Sequence, residues 1–313
     1  MIDFVTVLII IFLASCLIKI SQSVFIKNNY IDKINHRSSH SVISTRSGGI
    51  AILVTLLITS TVFYINGFEL YNYSLLIPII ILGVVGIYDD IHSVDFKLKF
   101  IFQIIAAKII IDNGLIIDNF HGILGLYEIN RVLAQCVTIL VICSIINAIN
   151  FIDGIDGLAI SQVFKTLVII EVFSVEFTPL YSMGLILVLA ILPLYYFNFK
   201  RKRKVFLGDS GSLLLGTVVS IYAFYLLSEN YTINQSLSIN KTLLSVIVLV
   251  YPLIDLIRVF VIRLKNKKSP FEPDQNHLHH FFLKKTKSQF YSVLIILLID
   301  FFILSLTFLF IKL

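Results

Sequence analysis

The chain has 313 residues, of which 58% are hydrophobic and 14% charged, and its formal net charge is +6. A mean hydropathy of +0.94 excludes a soluble domain of this length and makes the chain an integral membrane protein. The positive charge does not imply a nucleic-acid partner, because basic residues in short loops beside apolar segments follow from membrane topology and anionic lipid.

Stretches of about 17–25 apolar residues, the length that crosses the hydrocarbon layer as a helix, predict ten spans within a single all-α domain covering 1–313. They fall at 2–20, 48–66, 73–90, 98–114, 131–149, 158–175, 179–198, 207–227, 241–263 and 289–311. The first lacks a basic leader and an Ala-x-Ala-like cleavage site, and Lys19 closes it, so it reads as a retained span and not as a removed signal peptide. Lys27, Lys33, Arg37 and Arg46 lie between the first two spans, Lys97 and Lys99 after the third, Lys200 to Lys204 after the seventh, and Arg263 to Lys287 after the ninth. Because basic loops stay in the cytoplasm, both termini are expected outside and these loops inside. Cys16, Cys136 and Cys143 all fall within apolar spans without metal-ligand spacing and are read as packing residues.

Polar motifs sit at the cytoplasmic ends of the spans. Asp89-Asp90 closes the third, followed by Lys99 and Gln103 one turn apart on the fourth. Two adjacent carboxylates repel unless a cation is near; a solvated helix end is the bland alternative, weakened by the need of Lys99 and Gln103 for partners. Asn147, Asn150, Asp153 and Asp156 follow at intervals of three, with Gly154 and Gly157 between, a pattern suited to a polar wall or, equally, to simple Asp-Gly turns. Asp209 stands in Phe-Leu-Gly-Asp-Ser-Gly-Ser at the start of the eighth span, where backbone N–H groups attract anions and where a plain N-cap is the competing reading. His277, His279 and His280 lie between lysine-rich stretches, a composition that suits a diphosphate better than a transition metal, since no cysteine is near. Lys165 and Asp300 fall inside spans, where unpaired charge is costly, so either they pair across helices or the span boundaries lie elsewhere, and the sequence does not choose between these; Asp255 and Arg258 have the spacing of an i,i+3 pair.

Taken together, Gly-Ile-Tyr-Asp-Asp with Lys99 and Gln103, Asn-Ala-Ile-Asn-Phe-Ile-Asp-Gly-Ile-Asp-Gly-Leu, Phe-Leu-Gly-Asp-Ser-Gly-Ser-Leu-Leu-Leu-Gly and His-Leu-His-His, in that order over nearly the whole chain, resemble the polyprenyl-phosphate N-acetylhexosamine-1-phosphate transferases. The segment Asp32 to His40 with Arg46-Ser-Gly-Gly is similar to that family's opening loop, although Ile34 and Thr45 stand where many members have proline, a departure that bears on loop rigidity and not on the reaction.

The resemblance implies transfer of a sugar 1-phosphate from a UDP-N-acetylhexosamine to undecaprenyl phosphate, with UMP released, on the cytoplasmic face of a bacterial inner membrane. It makes Asp209 the principal Mg²⁺ ligand, with Mn²⁺ a substitute and Asp90 in support. Asp89 would deprotonate or orient the lipid phosphate and Lys99 would neutralise phosphate charge. Asn150, Asp153 and Asp156 would form the nucleotide wall, Asp156 contacting uracil, and Arg263, His277, His279 and His280 would hold diphosphate and sugar. His-x-His-His is similar to the branch that uses simple UDP-sugars, with UDP-GlcNAc the first choice; three consecutive histidines would point to phospho-MurNAc-pentapeptide transfer. Direct attack by the lipid phosphate is preferred to a covalent aspartyl intermediate, the homodimer is kept open as an assembly, and membrane lipid is a partner. A transporter, the reading from another class, would place its acids near the bilayer midplane.

Overall fold

Each predicted span falls on a helix, and side-chain caps mark several starts: Asp3 accepts from Thr6 N at 2.8 Å, and Asn130 from Leu133 N at 2.9 Å, satisfying amides that have no partner within the helix. The computed structural model describes residues 2–32, 44–119, 127–234, 239–270 and 274–311. Most of the family-like opening loop, with Lys33, Ile34, Arg37 and His40, lies outside them. The helices are α1 (Phe4–Lys27), α2 (Gly48–Ile65), α3 (Leu76–His92, entered by a 3-10 turn at Tyr73–Leu75), α4 (Phe96–Asp112), α5 (Arg131–Ile152), α6 (Leu158–Phe173), α7 (Tyr181–Asn198), α8 (Gly208–Leu227), α9 (Lys241–Val248), α10 (Val250–Lys265), α11 (Leu278–Thr286) and α12 (Gln289–Ile311). Strands β1 (Ser44–Thr45) and β2 (Lys204–Val205) pair in parallel, Ser44 opposite Lys204.

Seven helices are individually long and apolar enough to cross a membrane, and α9 with α10 makes an eighth across a 67° bend. The chain is therefore a polytopic helical membrane protein. Helices α4 and α6 have only 17 and 16 residues, so the expected count of ten exceeds the spans that length and composition establish.

Two features depart from the sequence reading. The span expected to run straight from 241 to 263 breaks at Leu249 (φ −103°, ψ 10°). Pro252, in the first turn of α10, has no N–H for the Val248 carbonyl and its ring crowds that group, which favours a break there, although Pro193 is carried inside the continuous α7. The loop expected at 264–288 contains α11, whose Leu278, Phe282 and Leu283 pack on the core.

Contacts bring the ends of α3 and α5 to one face with the starts of α2, α4 and α8. Helix α8 is almost wholly buried and packs on α2, α3, α5 and α6. A Cβ at Gly49 or Gly86 would run into the α8 backbone at Asp209–Gly211, so these two glycines allow α2 and α3 to close on the helix start that carries Asp209.

Candidate active site

At that shared face Lys99 bridges two carboxylates. Its Nζ lies 3.0 Å from Asp89 Oδ2 and 2.9 Å from Asp209 Oδ2, joining the end of α3 and the start of α8 through the first turn of α4. This ion pair across helices answers the charge repulsion that the Asp-Asp sequence poses. Asp90 has a different partner: Oδ1 accepts from Asp209 N and Oδ2 from Ser210 N, each at 2.9 Å. It is a cap for α8 supplied by another helix, and it fixes the backbone from which Asp209 projects. Gly208 turns into α8 at φ +76°, and a Cβ there would lie 2.7 Å from Asp90 Oδ2.

The asparagine–aspartate stripe divides its labour. Asn147 and Gln103 exchange amide hydrogen bonds at 2.7 and 3.2 Å in the buried interface of α5 and α4. Asn150 Nδ2 donates to Ser212 Oγ at 2.7 Å, tying the end of α5 to α8. Asp153 is half-buried in the turn after α5; desolvation and the nearby charges of Asp209 and Asp90 push its carboxyl up to about 8, against the opposing pull of Arg46. Asp156, expected at the uracil, is buried instead with its carboxylate ion-paired to Lys204, while its N–H donates to Gln289 Oε1 at 2.6 Å. The stripe is thus partly scaffold, with Asp153 the carboxylate nearest the acid cluster.

The histidine loop docks on the same turn: His279 Nε2 lies where a Cβ of Gly154 would be. His277 Nδ1 is 2.8 Å from Asp255 Oδ2, and its Nε2 is 3.4 Å from Arg263 Nη2. Because a carboxylate only accepts and a guanidinium only donates, Nδ1 carries the proton and Nε2 accepts. Asp255 also takes Leu278 N at 2.8 Å, and the expected i,i+3 pair with Arg258 is present as a longer ion pair of 3.8 Å, so Asp255 serves the arginine and the histidine together. Arg263 is buried and holds Asp274 through Nε at 2.9 Å; hydrogen bonds from Arg263 and Asn276 overcome burial and keep that carboxyl at about 2. Burial, with His277 adding to it, lowers His280 to about 4, and His279 falls well below its ordinary range. His279 and His280 therefore offer hydrogen bonds and not positive charge. Only His280 is partly open; His277 is committed, and both ring nitrogens of the fully buried His279 are without a partner among the described residues.

Two metal sites can be weighed. Ligand atoms of Asp255, His277 and His279 lie within 4.8 Å of one another, but a metal on His277 Nδ1 would move the proton to Nε2, facing the guanidinium, and this site fits poorly. Around Asp209 the donors are carboxylate oxygens, those of Asp89 and Asp209 sharing the single cation Lys99. Hard oxygen donors of this kind fit Mg²⁺ or Mn²⁺.

Charged residues expected inside spans also find each other. Lys165 Nζ is 2.8 Å from Asp300 Oδ2 and 2.6 Å from Gln162 Oε1, and Gln162 Nε2 closes the triangle to Asp300 at 2.7 Å. This buried knot joins α6 to α12.

The sequence profile of glycosyl transferase family 4 matches residues 72–227, from the helix that ends in Asp89-Asp90 to the end of α8. The chain is 31% identical over 288 residues to a probable undecaprenyl-phosphate N-acetylglucosaminyl 1-phosphate transferase of Bacillus subtilis, covering 90% of this chain and 77% of the relative. It is 30% identical to a decaprenyl-phosphate N-acetylglucosaminephosphotransferase of Mycolicibacterium smegmatis, covering 84% and 70%. To the undecaprenyl-phosphate alpha-N-acetylglucosaminyl 1-phosphate transferase of Salmonella typhi the identity is 29%, covering 85% and 72%. With its acidic motifs gathered at one membrane face and aligned relatives along most of its length, the chain belongs to glycosyl transferase family 4, in the polyprenyl-phosphate N-acetylhexosamine-1-phosphate transferase branch.

Proposed function

We propose that the protein transfers N-acetylglucosamine 1-phosphate from UDP-GlcNAc to undecaprenyl phosphate at the cytoplasmic face of a bacterial inner membrane, beginning a cell-envelope polysaccharide. The observation that carries this reading is the convergence of Asp89 and Asp209 on Lys99 at the membrane edge. An apolar acceptor with an anionic head meets a water-borne anionic donor at that depth.

In the reaction an oxygen of the lipid phosphate forms a bond to the sugar-bearing phosphorus of the donor. The bond from that phosphorus to the bridging oxygen breaks, and UMP leaves with the oxygen. Asp89 holds the lipid phosphate and takes its proton; Lys99 lies between Asp89 and Asp209, where phosphate charge collects. Asp209 would hold Mg²⁺, with Asp89 beside it, and Asp90 serves by capping the helix that presents Asp209. When bound, the metal supplies positive charge to the diphosphate oxygens. Preorganised charge of this kind is effective because two anions must meet. Asp153 and the Gly154 turn form the donor wall; Asp156, through Lys204, holds that turn against β2. His280, the open end of the histidine loop, donates to the donor, while His277, His279 and Arg263 shape the loop behind it.

The test is an assay of the purified protein with undecaprenyl phosphate and a panel of UDP-sugars, read as UMP release. Turnover with UDP-GlcNAc is expected. Turnover only with the UDP-MurNAc-pentapeptide donor would replace this reading by that of the peptidoglycan enzyme.

A further inference from the structure

The cations around the acid cluster differ in how far they are committed. Lys99 is 17% exposed and held by Asp89 and Asp209, Lys204 is held by Asp156, and Arg263 is 3% exposed and held by Asp274. Arg46 is the exception among these: its side chain is 47% exposed and its partner is the outlying Asp32, at 2.8 Å.

The backbone under Arg46 is nevertheless fixed. Ser44, Thr45, Ser47 and Gly48 on either side are buried, and β1 pairs with β2. Phe206 N donates to Thr45 O at 2.8 Å, Gly48 N to Phe206 O at 2.9 Å and Gly49 N to Leu207 O at 2.8 Å. The segment that carries Arg46 is therefore laced to the segment that leads into Asp209. A Cβ on Gly208 would lie 3.0 Å from Arg46 Cβ and 2.7 Å from Asp90 Oδ2, and the guanidinium is within electrostatic reach of Asp209, Asp90 and Asp153. A rigid root and an open, planar, permanently charged head suit a group that receives a phosphoryl oxygen bidentately. With its guanidinium 47% exposed, although Asp32 is only 17% exposed, this pair is screened by water on the arginine side, where a phosphate can reach it and compete with Asp32.

We propose that Arg46 is a catalytic residue that binds phosphoryl oxygens of a substrate beside Asp209, leaving Asp32 as it does so. The role rests on the transferase reading above. Two sources offer the same chemistry, the lipid phosphate and the donor diphosphate, and kinetics separates them. Arg46→Ala, Arg46→Lys and Asp32→Asn are measured for kcat/KM toward each substrate with the other saturating, alongside thermal unfolding. Arg46→Ala is expected to lose about 10- to 100-fold toward one substrate, as for a lost charge-assisted hydrogen bond, with Arg46→Lys intermediate and Asp32→Asn close to wild type. A loss borne by the lipid assigns Arg46 to the acceptor phosphate, and one borne by UDP-GlcNAc assigns it to the diphosphate. If Arg46→Ala fails to fold, Arg46→Gln keeps the stem to Cδ and a polar end without the charge and takes its place, with the same loss expected. Near-normal kcat/KM toward both substrates would overturn the proposal. So would equal losses in Arg46→Ala and Asp32→Asn with the same lowered unfolding temperature, which would make the pair a structural clasp. A wild-type protein that releases no UMP from any UDP-sugar would instead refute the function, and this role with it.

Discussion

Replacing Asp90 by Asn separates capping from metal binding. In the structure each oxygen of Asp90 accepts one backbone N–H at 2.9 Å, from Asp209 and from Ser210, at the positive end of α8. Asparagine keeps one acceptor, so one N–H loses its bond at a cost of about 1–3 kcal/mol, and removal of the negative charge from the helix start costs about 0.3–1 kcal/mol more. Relief of repulsion between Asp90 and Asp209 offsets part of this, leaving a net destabilisation of about 1–3 kcal/mol. Asp90→Asn should therefore unfold at a lower temperature in detergent, and its kcat should fall because Asp209 is no longer held in place. Its Mg²⁺ requirement, measured as the concentration giving half-maximal UMP release, should stay close to that of the wild type. A variant with wild-type thermal stability that needs far more Mg²⁺ would refute the capping argument and restore Asp90 as a direct ligand.

Chelation with EDTA should abolish UMP release and added Mg²⁺ or Mn²⁺ should restore it, whereas Asp209→Asn should insert and fold yet stay inactive at any Mg²⁺; activity in that variant at ordinary Mg²⁺ would remove Asp209 from the metal site. Lys165→Met leaves the Asp300 carboxylate unpaired inside the bundle and should destabilise by about 3–5 kcal/mol, while Lys165→Met with Asp300→Leu should recover most of that loss in thermal unfolding; equal damage in single and double variants would contradict the pairing. In a background without the native cysteines, Asn230→Cys should react with an impermeant thiol reagent in intact cells and Lys284→Cys should not, and the opposite pattern would reverse the proposed orientation.

The distribution of helices was legible in the sequence because membrane spans announce themselves by length and apolarity alone, and every predicted span overlies a helix. The break at Leu249 was only half legible: Pro252 marks a missing N–H, but Pro193 sits inside the unbroken α7, so a proline by itself does not say which helix parts. Pairings were legible only where a cost forced them. The cost of leaving Lys165 or Asp300 alone within the hydrocarbon made their meeting one of two readings, beside a shifted span boundary, and the 2.8 Å contact decides for the pair. Asp255 illustrates the other case: helix spacing offered Arg258, which does pair with it at 3.8 Å, but the shorter contact comes from His277, 22 residues away, and no local periodicity encodes it. Lys204 was hidden for a similar reason. Within a run of five basic residues nothing distinguishes the one that turns inward to Asp156, and the two-residue strand that directs it depends on a partner at Ser44–Thr45.

These tertiary pairings bear on how a site crowded with carboxylates exists at the edge of a membrane. Each inward-facing cation already has an acid: Lys99 has Asp89 and Asp209, Lys204 has Asp156, and Arg263 has Asp274. Such pairs hold the cations in position before any phosphate arrives, so little reorganisation is needed when charge develops between the substrates. They also divide the motifs into two mechanical groups. Lys99 and Asp90 lock the start of α8 to α3 and α4, whereas Lys204 and Gln289 lock the Asp153–Gly157 turn to β2 and α12. The proposed acceptor side and donor side are thus anchored largely to different helices and meet where Asn150 ties the end of α5 to Ser212 of α8 and where Asp153 feels the charge of Asp209. Substitutions in the first group should act on both kcat and stability. Those in the second should act first on the donor, because the turn they release carries no residue of the Asp89–Lys99–Asp209 cluster.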